Sequence, residues 1–243
     1  MLYFQKNESE EFIMRCPICG NEVILSGGMY HCSHFPICNF SFKSESEDGY
    51  VLNPDRDTFI VFDLETTGLN KTNDRIIEIG AVKVVNGEVT DNFDLLVNPG
   101  VKDNGIKFSI SSTIQNLTGI SNAMVAKAPS EKEALSEFFK WCDGINLIVG
   151  HNIASFDIPF TKSACRRNEL EFPFTDRVDT LLFAKSLKLQ KDGIIENNKQ
   201  PTLAKYVDLT YHAHRANDDT QALYEILTRL VHKQNKMPLI ESI

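Results

Sequence analysis

The sequence has no apolar run that approaches the roughly 18 residues needed for a transmembrane helix, so it predicts no membrane-spanning segment. Its first residues lack the basic stretch followed by an apolar stretch that marks a secretory signal, so we expect a cytoplasmic protein. It also lacks compositional bias. With 42% hydrophobic and 24% charged residues it is near the average of folded proteins, which excludes wholesale disorder and fibrous order.

Basic residues are outnumbered, since 25 Lys and Arg stand against 33 Asp and Glu and leave a formal net charge of -8. A protein that binds phosphates passively would show a basic excess, so this class is disfavoured. An enzyme that acts on nucleic acid through divalent cations stays open, because bound metals change the local sign of charge. The 243 residues accommodate one domain with a full core and a smaller module.

Four of the six cysteines lie in one short stretch with the spacing Cys-x2-Cys-x12-Cys-x5-Cys; they are Cys16, Cys19, Cys32 and Cys38. Four thiolates suit the tetrahedral coordination of zinc, and a Cys-x2-Cys turn offers two ligands to one ion. Without a secretory signal, metal binding is favoured over a disulfide framework. Two disulfides or four buried thiols are the alternatives, and His31 or His34 are substitute ligands that two complete cysteine pairs make unnecessary.

Residues 14–43 resemble the zinc ribbons of bacterial type I topoisomerases, through the segments CPICG and CSHFPICNF. Those ribbons bind single-stranded DNA, largely by stacking bases on aromatic side chains. The resemblance implies an aromatic platform here, made of Tyr30, Phe35, Phe40 and Phe42. The alternative is that these rings form only the small core of the ribbon, because the stretch from Cys16 to Lys43 holds one Lys and no Arg.

Residues 44–56 are polar and acidic and contain Gly and Pro, which predicts a linker. The following domain, residues 57–235, begins with three strand-like runs, TFIVFDLETTG, RIIEIGAVKVV and EVTDNFDLLV, and Asn86-Gly87 predicts a hairpin turn between the last two. Helical patterns follow, one opened by the capping box of Ser130 and Glu133. Strands in a meander followed by alternating helices and strands predict an α/β fold with a mixed sheet.

Asp63 and Glu65 flank Leu64 near the end of the first of these strands. Residues two apart on a strand point to the same face, so both carboxylates are expected together, with Leu64 facing the other way. Two like charges held close are costly unless a cation lies between them. This pair therefore indicates a metal site.

Two more groups carry charged or polar side chains further along the chain. Asp157 falls at the predicted start of a helix, and His214 precedes the last helix, which carries Asp219. Taken singly, Asp157 reads as an N-cap, His214 as a surface residue and Asp219 as an acid near a helix N-terminus. The combination with Asp63 and Glu65 is what indicates a catalytic site.

Residues 57–234 resemble the DnaQ-like 3′–5′ exonucleases of the DEDDh class, a family that includes the proofreading subunit of bacterial DNA polymerase III. The first motif of the family matches FDLETTG at 62–68, the second matches His151-Asn152 with Phe156-Asp157, and the third matches His214 with Asp219. The second motif contains one residue more than its commonest form, so we expect that loop to bulge. The resemblance implies a ribonuclease H-like fold with a five-stranded mixed sheet.

The resemblance also implies a mechanism, in which two Mg²⁺ or Mn²⁺ ions assist phosphodiester hydrolysis. Asp63 would bridge the ions, Glu65 and Asp219 would complete the site of the attacking water, and Asp157 would hold the second ion. His214 would act as the general base. The implied contacts to the 3′-terminal nucleotide are Thr66, Thr67, Gly68, Leu117 and Asn152.

The substrate expected from this reading is a nucleic acid with a free 3′ end, with single-stranded DNA favoured, in proofreading or repair. Trimming of RNA or oligoribonucleotides is an alternative, because discrimination between sugars depends on the shape of the pocket around a 2′-hydroxyl. A non-catalytic binding scaffold is a second alternative, but it would be expected to have lost one of the acidic or histidine side chains. Whether the chain acts alone or within a polymerase or repair complex is left open by the sequence.

Overall fold

The computed structural model describes residues 3–6, 12–16, 19–26, 29–34, 37–38, 41–43, 51–101, 105–210 and 216–243. The chain separates into two compact units, Met1–Tyr50 and Val51–Ile243. Residues 44–50 of the predicted linker lie outside the described residues. From residue 51 onward the chain belongs to the second unit, where Leu52 is fully buried in the core.

The described residues of the first unit form two small antiparallel sheets. One pairs β1 (Tyr3–Lys6) with β2 (Phe12–Arg15), and the other contains β3 (Val23–Ser26), β4 (Met29–Cys32) and β5 (Ser41–Lys43). Cys16, Cys32 and Cys38 are buried and pack with Val23. Among the described residues of this unit, these three cysteines and Val23 form the buried cluster.

The second unit alternates strands and helices after an opening meander. Its strands are β6 (Phe59–Thr66), β7 (Ile76–Val85), β8 (Glu88–Leu96), β9 (Leu147–Gly150), β10 (Asp176–Asp179) and β11 (Glu241–Ser242). Its helices are α1 (Ser112–Thr118), α2 (Asn122–Val125), α3 (Glu131–Cys142), α4 (Asp157–Asn168), α5 (Thr180–Ser186), α6 (Gln200–Tyr206) and α7 (Ala216–Gln234).

Local sequence signals set several of these boundaries. Asn86 and Gly87 both have positive φ angles, 53° and 78°, and join β7 to β8 as the predicted hairpin turn. The predicted capping box is confirmed, since the Ser130 side chain accepts from the Glu133 N–H and the Glu133 carboxylate accepts from the Ser130 N–H. Gly119 ends α1 in the left-handed conformation.

The strands of the second unit that the structure describes form one mixed sheet, the main sheet, in the order β11-β10-β9-β6-β7-β8. β10, β9 and β6 run parallel, while β7, β8 and β11 pair antiparallel. The expected mixed α/β architecture is confirmed, but the expected number of five strands was wrong because β11 adds a sixth. β11 has only two residues, too few to show the alternation of apolar and polar residues from which a strand is predicted. It is held by pairing with Asp176 and Arg177 and by an ion pair of 3.1 Å between Arg177 and Glu241.

Helices cover both faces of the main sheet. Phe59 and Val61 of β6 pack with the apolar side chains of α5, α6 and α7, whereas Ile60, Phe62 and Leu64 pack with those of α3 and α4. This alternation is the period of two expected of a buried strand. Helices α7 and α4 therefore lie on opposite sides of β6. The acidic residues described next are carried by these three elements.

No helix in the part of the chain that the structure describes is both long enough and apolar enough to cross a bilayer.

Candidate active site

Asp63 and Glu65 lie on the α7 side of β6, in phase with Phe59 and Val61. Leu64 between them packs on the opposite side of the main sheet. The apolar alternation of the strand therefore aims both carboxylates toward one helix.

Asp219 lies in the first turn of α7, one helical turn before Leu223. Leu223 and Leu227 pack against Phe59 and Val61, so the same face of α7 that buries these leucines also brings Asp219 to the sheet. Carboxylate oxygens of Asp63, Glu65 and Asp219 come within 4.8 Å of one another.

Asp157 approaches from the other side of β6, as the first residue of α4. Only 2% of its surface is exposed, and its Oδ1 accepts a hydrogen bond of 3.2 Å from the backbone N–H of Leu64. Burial raises the pKa of Asp157 to about 8. Burial and the charges of Asp157, Glu65 and Asp219 raise the pKa of Asp63 well above its usual range. The four carboxylates are thus packed at a cost that a cation would relieve.

The donor set fits a hard divalent cation. It offers only carboxylate oxygens, which are the ligands that Mg²⁺ and Mn²⁺ prefer, and it holds no thiol or imidazole among the grouped residues that the structure describes. The raised pKa values of Asp63 and Asp157 also indicate a cation site. A bound cation and a proton compete for the same carboxylate oxygens, so a cation can neutralise the charge that a proton would otherwise neutralise.

Two residues that the sequence analysis did not single out hold α7 in place. Glu78 of β7 is fully buried opposite Glu65, and its Oε2 accepts a hydrogen bond of 3.0 Å from the N–H of Ala216, the first residue of α7. Gln200 of α6 donates from Nε2 to the carbonyl oxygen of Asp219 over 2.8 Å. A glutamate in the middle of the apolar run RIIEIGAV was the available signal for the first, and nothing local marked the second.

The predicted general base, His214, falls within residues 211–215, outside the described residues. Its neighbours on either side are described, since α6 precedes the segment and α7 follows it. Its role stays a prediction from the sequence.

The predicted nucleotide contacts lie at the end of β6 and on two further elements. Thr66 is 6% exposed and donates from Oγ1 to the carbonyl oxygen of Gly68 over 2.6 Å. Thr67 donates to Asp74 over 3.1 Å. Leu117 is half exposed on α1. That these residues contact a nucleotide stays a prediction from the sequence.

Asn152 belongs to the loop between β9 and α4, which the sequence predicts to bulge. Its φ angle is 64°, in the left-handed region. The two carboxylate oxygens of Asp179 accept hydrogen bonds of 3.1 Å from the N–H groups of Asn152 and Ala154. One buried carboxylate therefore fixes the loop that precedes Asp157.

The cysteine cluster of the first unit brings four sulfur atoms together. The Sγ atoms of Cys16, Cys19, Cys32 and Cys38 all lie within 4.8 Å of one another, with Cys16 and Cys38 3.6 Å apart and Cys19 and Cys32 3.3 Å apart. All six cysteines of the chain are free thiols. Sulfur atoms about 2.3 Å from one tetrahedral zinc would be about 3.8 Å apart, so the donor set fits this metal.

Comparison with known proteins gives a family match over most of the second unit. The sequence profile of the family RNase_T, described as Exonuclease, matches residues 60–227. That range contains Asp63, Glu65, Asp157, His214 and Asp219.

The chain is 40% identical over 176 residues to the DNA polymerase III PolC-type of Caldanaerobacter subterraneus subsp. tengcongensis, a match that covers 72% of this chain and 12% of the relative. The chain thus spans about an eighth of the length of that polymerase.

Among solved structures, it is similar to Exonuclease X in complex with 5′ overhanging duplex DNA, with a TM-score of 0.53, 25% identity, and coverage of 73% of this chain and 93% of the other. It is also similar to the nuclease domain of 3′hExo, a DEDDh family member, bound to rAMP, with a TM-score of 0.62, 19% identity, and coverage of 77% and 98%.

Proposed function

The chain belongs to the Exonuclease family, and we propose that it is a metal-dependent 3′–5′ exonuclease that removes nucleotides from the end of single-stranded DNA in cytoplasmic proofreading or repair. As a member of this family it is an enzyme that hydrolyses phosphodiester bonds. The observation that carries the proposal is the meeting of Asp63, Glu65 and Asp219 within 4.8 Å, with Asp157 buried behind them.

Asp63, Glu65, Asp157 and Asp219 would hold two Mg²⁺ or Mn²⁺ ions, which activate the attacking water and stabilise the anionic phosphate when bound. The protein provides the rest. β6, α4 and α7 fix the carboxylates before any ligand arrives, because each of these elements is packed in the core. His214 takes the proton of the attacking water, and its unperturbed pKa of about 6.5 suits proton removal near neutral pH.

A DNA substrate is favoured by two of the comparisons. A 40% identical relative is a DNA polymerase III, and the structure of Exonuclease X contains DNA with an overhanging end. We propose that the chain serves such a polymerase or a repair complex. RNA trimming is the second candidate, because the similar 3′hExo structure holds rAMP, although its identity of 19% supports only the shared fold.

We further propose that residues 14–43 form a structural zinc ribbon held by Cys16, Cys19, Cys32 and Cys38, and that it engages the single strand. Tyr30 and Phe42, two of the predicted platform residues, are direct backbone partners across β4 and β5. Phe35 and Phe40 lie outside the described residues.

Digestion of matched 3′-labelled and 5′-labelled single strands, duplex DNA and RNA with Mg²⁺ tests the proposal. Mononucleotides should appear first from the 3′ label, and faster from DNA than from RNA. Asp63→Ala should abolish turnover, whereas Glu88→Ala, which removes an exposed carboxylate of β8, should have no effect. Release from the 5′ label first, or retained turnover in Asp63→Ala, would contradict the proposed function.

A further inference from the structure

The turn that follows β6 is closed by a single carboxylate, that of Asp74. Its Oδ1 accepts a hydrogen bond of 3.1 Å from the hydroxyl of Thr67, and its Oδ2 accepts one of 2.9 Å from the N–H of Asn70. Its own N–H donates to the carbonyl oxygen of Asn70 over 2.7 Å. Asp74 therefore ties the two ends of the loop to its middle.

Thr67 is fixed from both sides by this arrangement. Its N–H donates to the carbonyl oxygen of Arg75 over 2.9 Å, and its hydroxyl accepts from the N–H of Arg75 over 3.0 Å. Because the only hydroxyl proton goes to Asp74, the Thr67 side chain has no donor left for a ligand. The hydroxyl proton of Thr66 is also engaged within the turn, since it is donated to the carbonyl oxygen of Gly68. Both threonines thus build the turn.

Gly68 is the place where the carboxylate touches the turn. A Cβ atom at this position would lie 2.5 Å from Oδ2 and 2.8 Å from Cγ of Asp74. The glycine is needed here for close approach, because a methyl group would displace the carboxylate. Asp74 and Gly68 are therefore sterically coupled.

The pairing of β6 with β7 supports only the base of the turn. Its register shifts between Glu65 and Thr66, after which Thr66 pairs with Ile76 and the N–H of Thr67 donates to the carbonyl oxygen of Arg75. Arg75 adds a contact between the turn and the segment that leads to α1, since its guanidinium lies 4.6 Å from the ring centre of Phe108. Strand pairing thus holds the base of the turn, and the side chain of Asp74 holds Thr67 and Asn70 above it.

We infer that Asp74 is a positioning residue, which holds the turn of Thr66, Thr67 and Gly68 in the shape that receives the 3′-terminal nucleotide. The inference rests on the proposed function, because it takes that turn as the nucleotide site. Asp74 is separate from the metal-holding group of Asp63, Glu65 and Asp219. Its loss should therefore weaken substrate binding and leave the chemical step in place.

Steady-state kinetics on a short single strand test the inference with four proteins: the wild type, Asp74→Ala, Gly68→Ala and the double variant. Asp74→Ala should raise KM roughly tenfold, since two hydrogen bonds to a charged group are lost, with kcat within about threefold of the wild type. Gly68→Ala should raise KM as well, by displacing Asp74. In the double variant the methyl group meets no carboxylate, so KM should be no higher than in Asp74→Ala.

Asp74→Asn is the conservative control, because its amide oxygen can accept from the N–H of Asn70 while its NH₂ group donates to the hydroxyl oxygen of Thr67, and it should restore KM to within about threefold of the wild type. The Mg²⁺ concentration for half-maximal rate should be the same in all variants. An unchanged KM in Asp74→Ala, a loss confined to kcat, or multiplying effects in the double variant would overturn the inference. An inactive wild type would instead contradict the proposed function.

Discussion

The backbone N–H of Leu64 donates a hydrogen bond of 3.2 Å to Oδ1 of Asp157, and this bond joins β6 to the first residue of α4. Leu64 lies between Asp63 and Glu65, so the bond places the fourth carboxylate directly behind the other two acids of the strand. It also leaves Asp157 with 2% exposure and little water to solvate its charge. Stability without metal should therefore depend on pH.

Asp157→Asn tests this dependence. Burial raises the pKa of Asp157 to about 8 in the folded protein, while an unfolded chain has a pKa of about 3.9. Between those values the folded state binds a proton that the unfolded state releases, so in metal-free buffer the free energy of unfolding falls as pH rises from about 4 to 8. Asp157→Asn keeps an acceptor for Leu64 and removes the share of this slope that Asp157 contributes, while the raised pKa of Asp63 leaves a share in place. The slope should therefore become shallower, and Tm near pH 8 should rise by about 2–4 °C for each kcal/mol recovered.

Fluorescence of Trp141 is the appropriate measurement, because it is the single tryptophan of the chain and it packs against Phe93 and Phe138 in the second unit. The fluorescence therefore reports unfolding of the second unit, and unfolding of the first unit does not contribute to it. Asp192→Asn, which neutralises an exposed carboxylate, is the matched control and should keep the wild-type slope. The same slope in Asp157→Asn would show that another group titrates.

His214→Ala should lower the rate by about 10² to 10⁴, the usual range for loss of a general acid or base. Metal affinity should be retained, and His214→Gln should behave in the same way. The wild-type log rate should rise between about pH 5.5 and 7, and this rise should be absent from the variant. An unchanged pH profile would mean that another group takes the proton.

Gln200→Ala should weaken metal binding through Asp219. The Nε2 of Gln200 donates to the carbonyl oxygen of Asp219 over 2.8 Å and lies 3.5 Å from its Oδ1, so it restrains both the backbone and the carboxylate. Loss of such an outer partner commonly costs about tenfold or more in metal affinity.

The Mn²⁺ dissociation constant, measured by calorimetry, should therefore rise about tenfold in Gln200→Ala. Gln221→Ala is the matched control, since Gln221 lies on α7 near Asp219 but its amide donates to Asn92 of β8 over 3.3 Å. Equal Mn²⁺ affinities in the two variants would assign Gln200 no part in the site.

The elements that the sequence predicted are those that carry a strong local pattern. Successive side chains of β6 point to opposite faces of the main sheet, both of which are buried, so the common face of Asp63 and Glu65 followed from a period of two. The hairpin at Asn86-Gly87 and the capping box at Ser130 depend on neighbouring residues alone. Each could be read without knowing the rest of the fold.

The elements that the sequence did not predict depend on distant partners. β11 exists because Glu241 and Ser242 meet β10, more than sixty residues away. Glu78 and Gln200 gain their roles from Ala216 and Asp219, which only the packed sheet and helices bring close. The role of Asp74 could not be predicted either, because a polar residue in the loop before a strand is common and marks no particular contact.

The cysteine cluster gives the last prediction. Cys16→Ser with Cys19→Ser should release one zinc per chain and unfold residues 14–43, because a structural zinc site provides folding energy of its own. Zinc released on denaturation can be measured with a colorimetric chelator. Cys142→Ser with Cys165→Ser is the matched control, since both thiols are buried in the second unit, and it should retain the metal. The exonuclease rate on a short strand should persist in both variants.

What the zinc-free variant should lose is affinity for long single strands. The first unit has little positive charge with which to follow phosphates, so binding should come from stacking of bases on aromatic rings and depend only modestly on salt. Phe35→Ala and Tyr30→Ala should therefore each weaken binding while zinc is retained. Dissociation constants for a long strand, with and without residues 1–50, decide the matter, and equal values would refute a nucleic-acid role for the ribbon and favour recruitment of a protein partner instead.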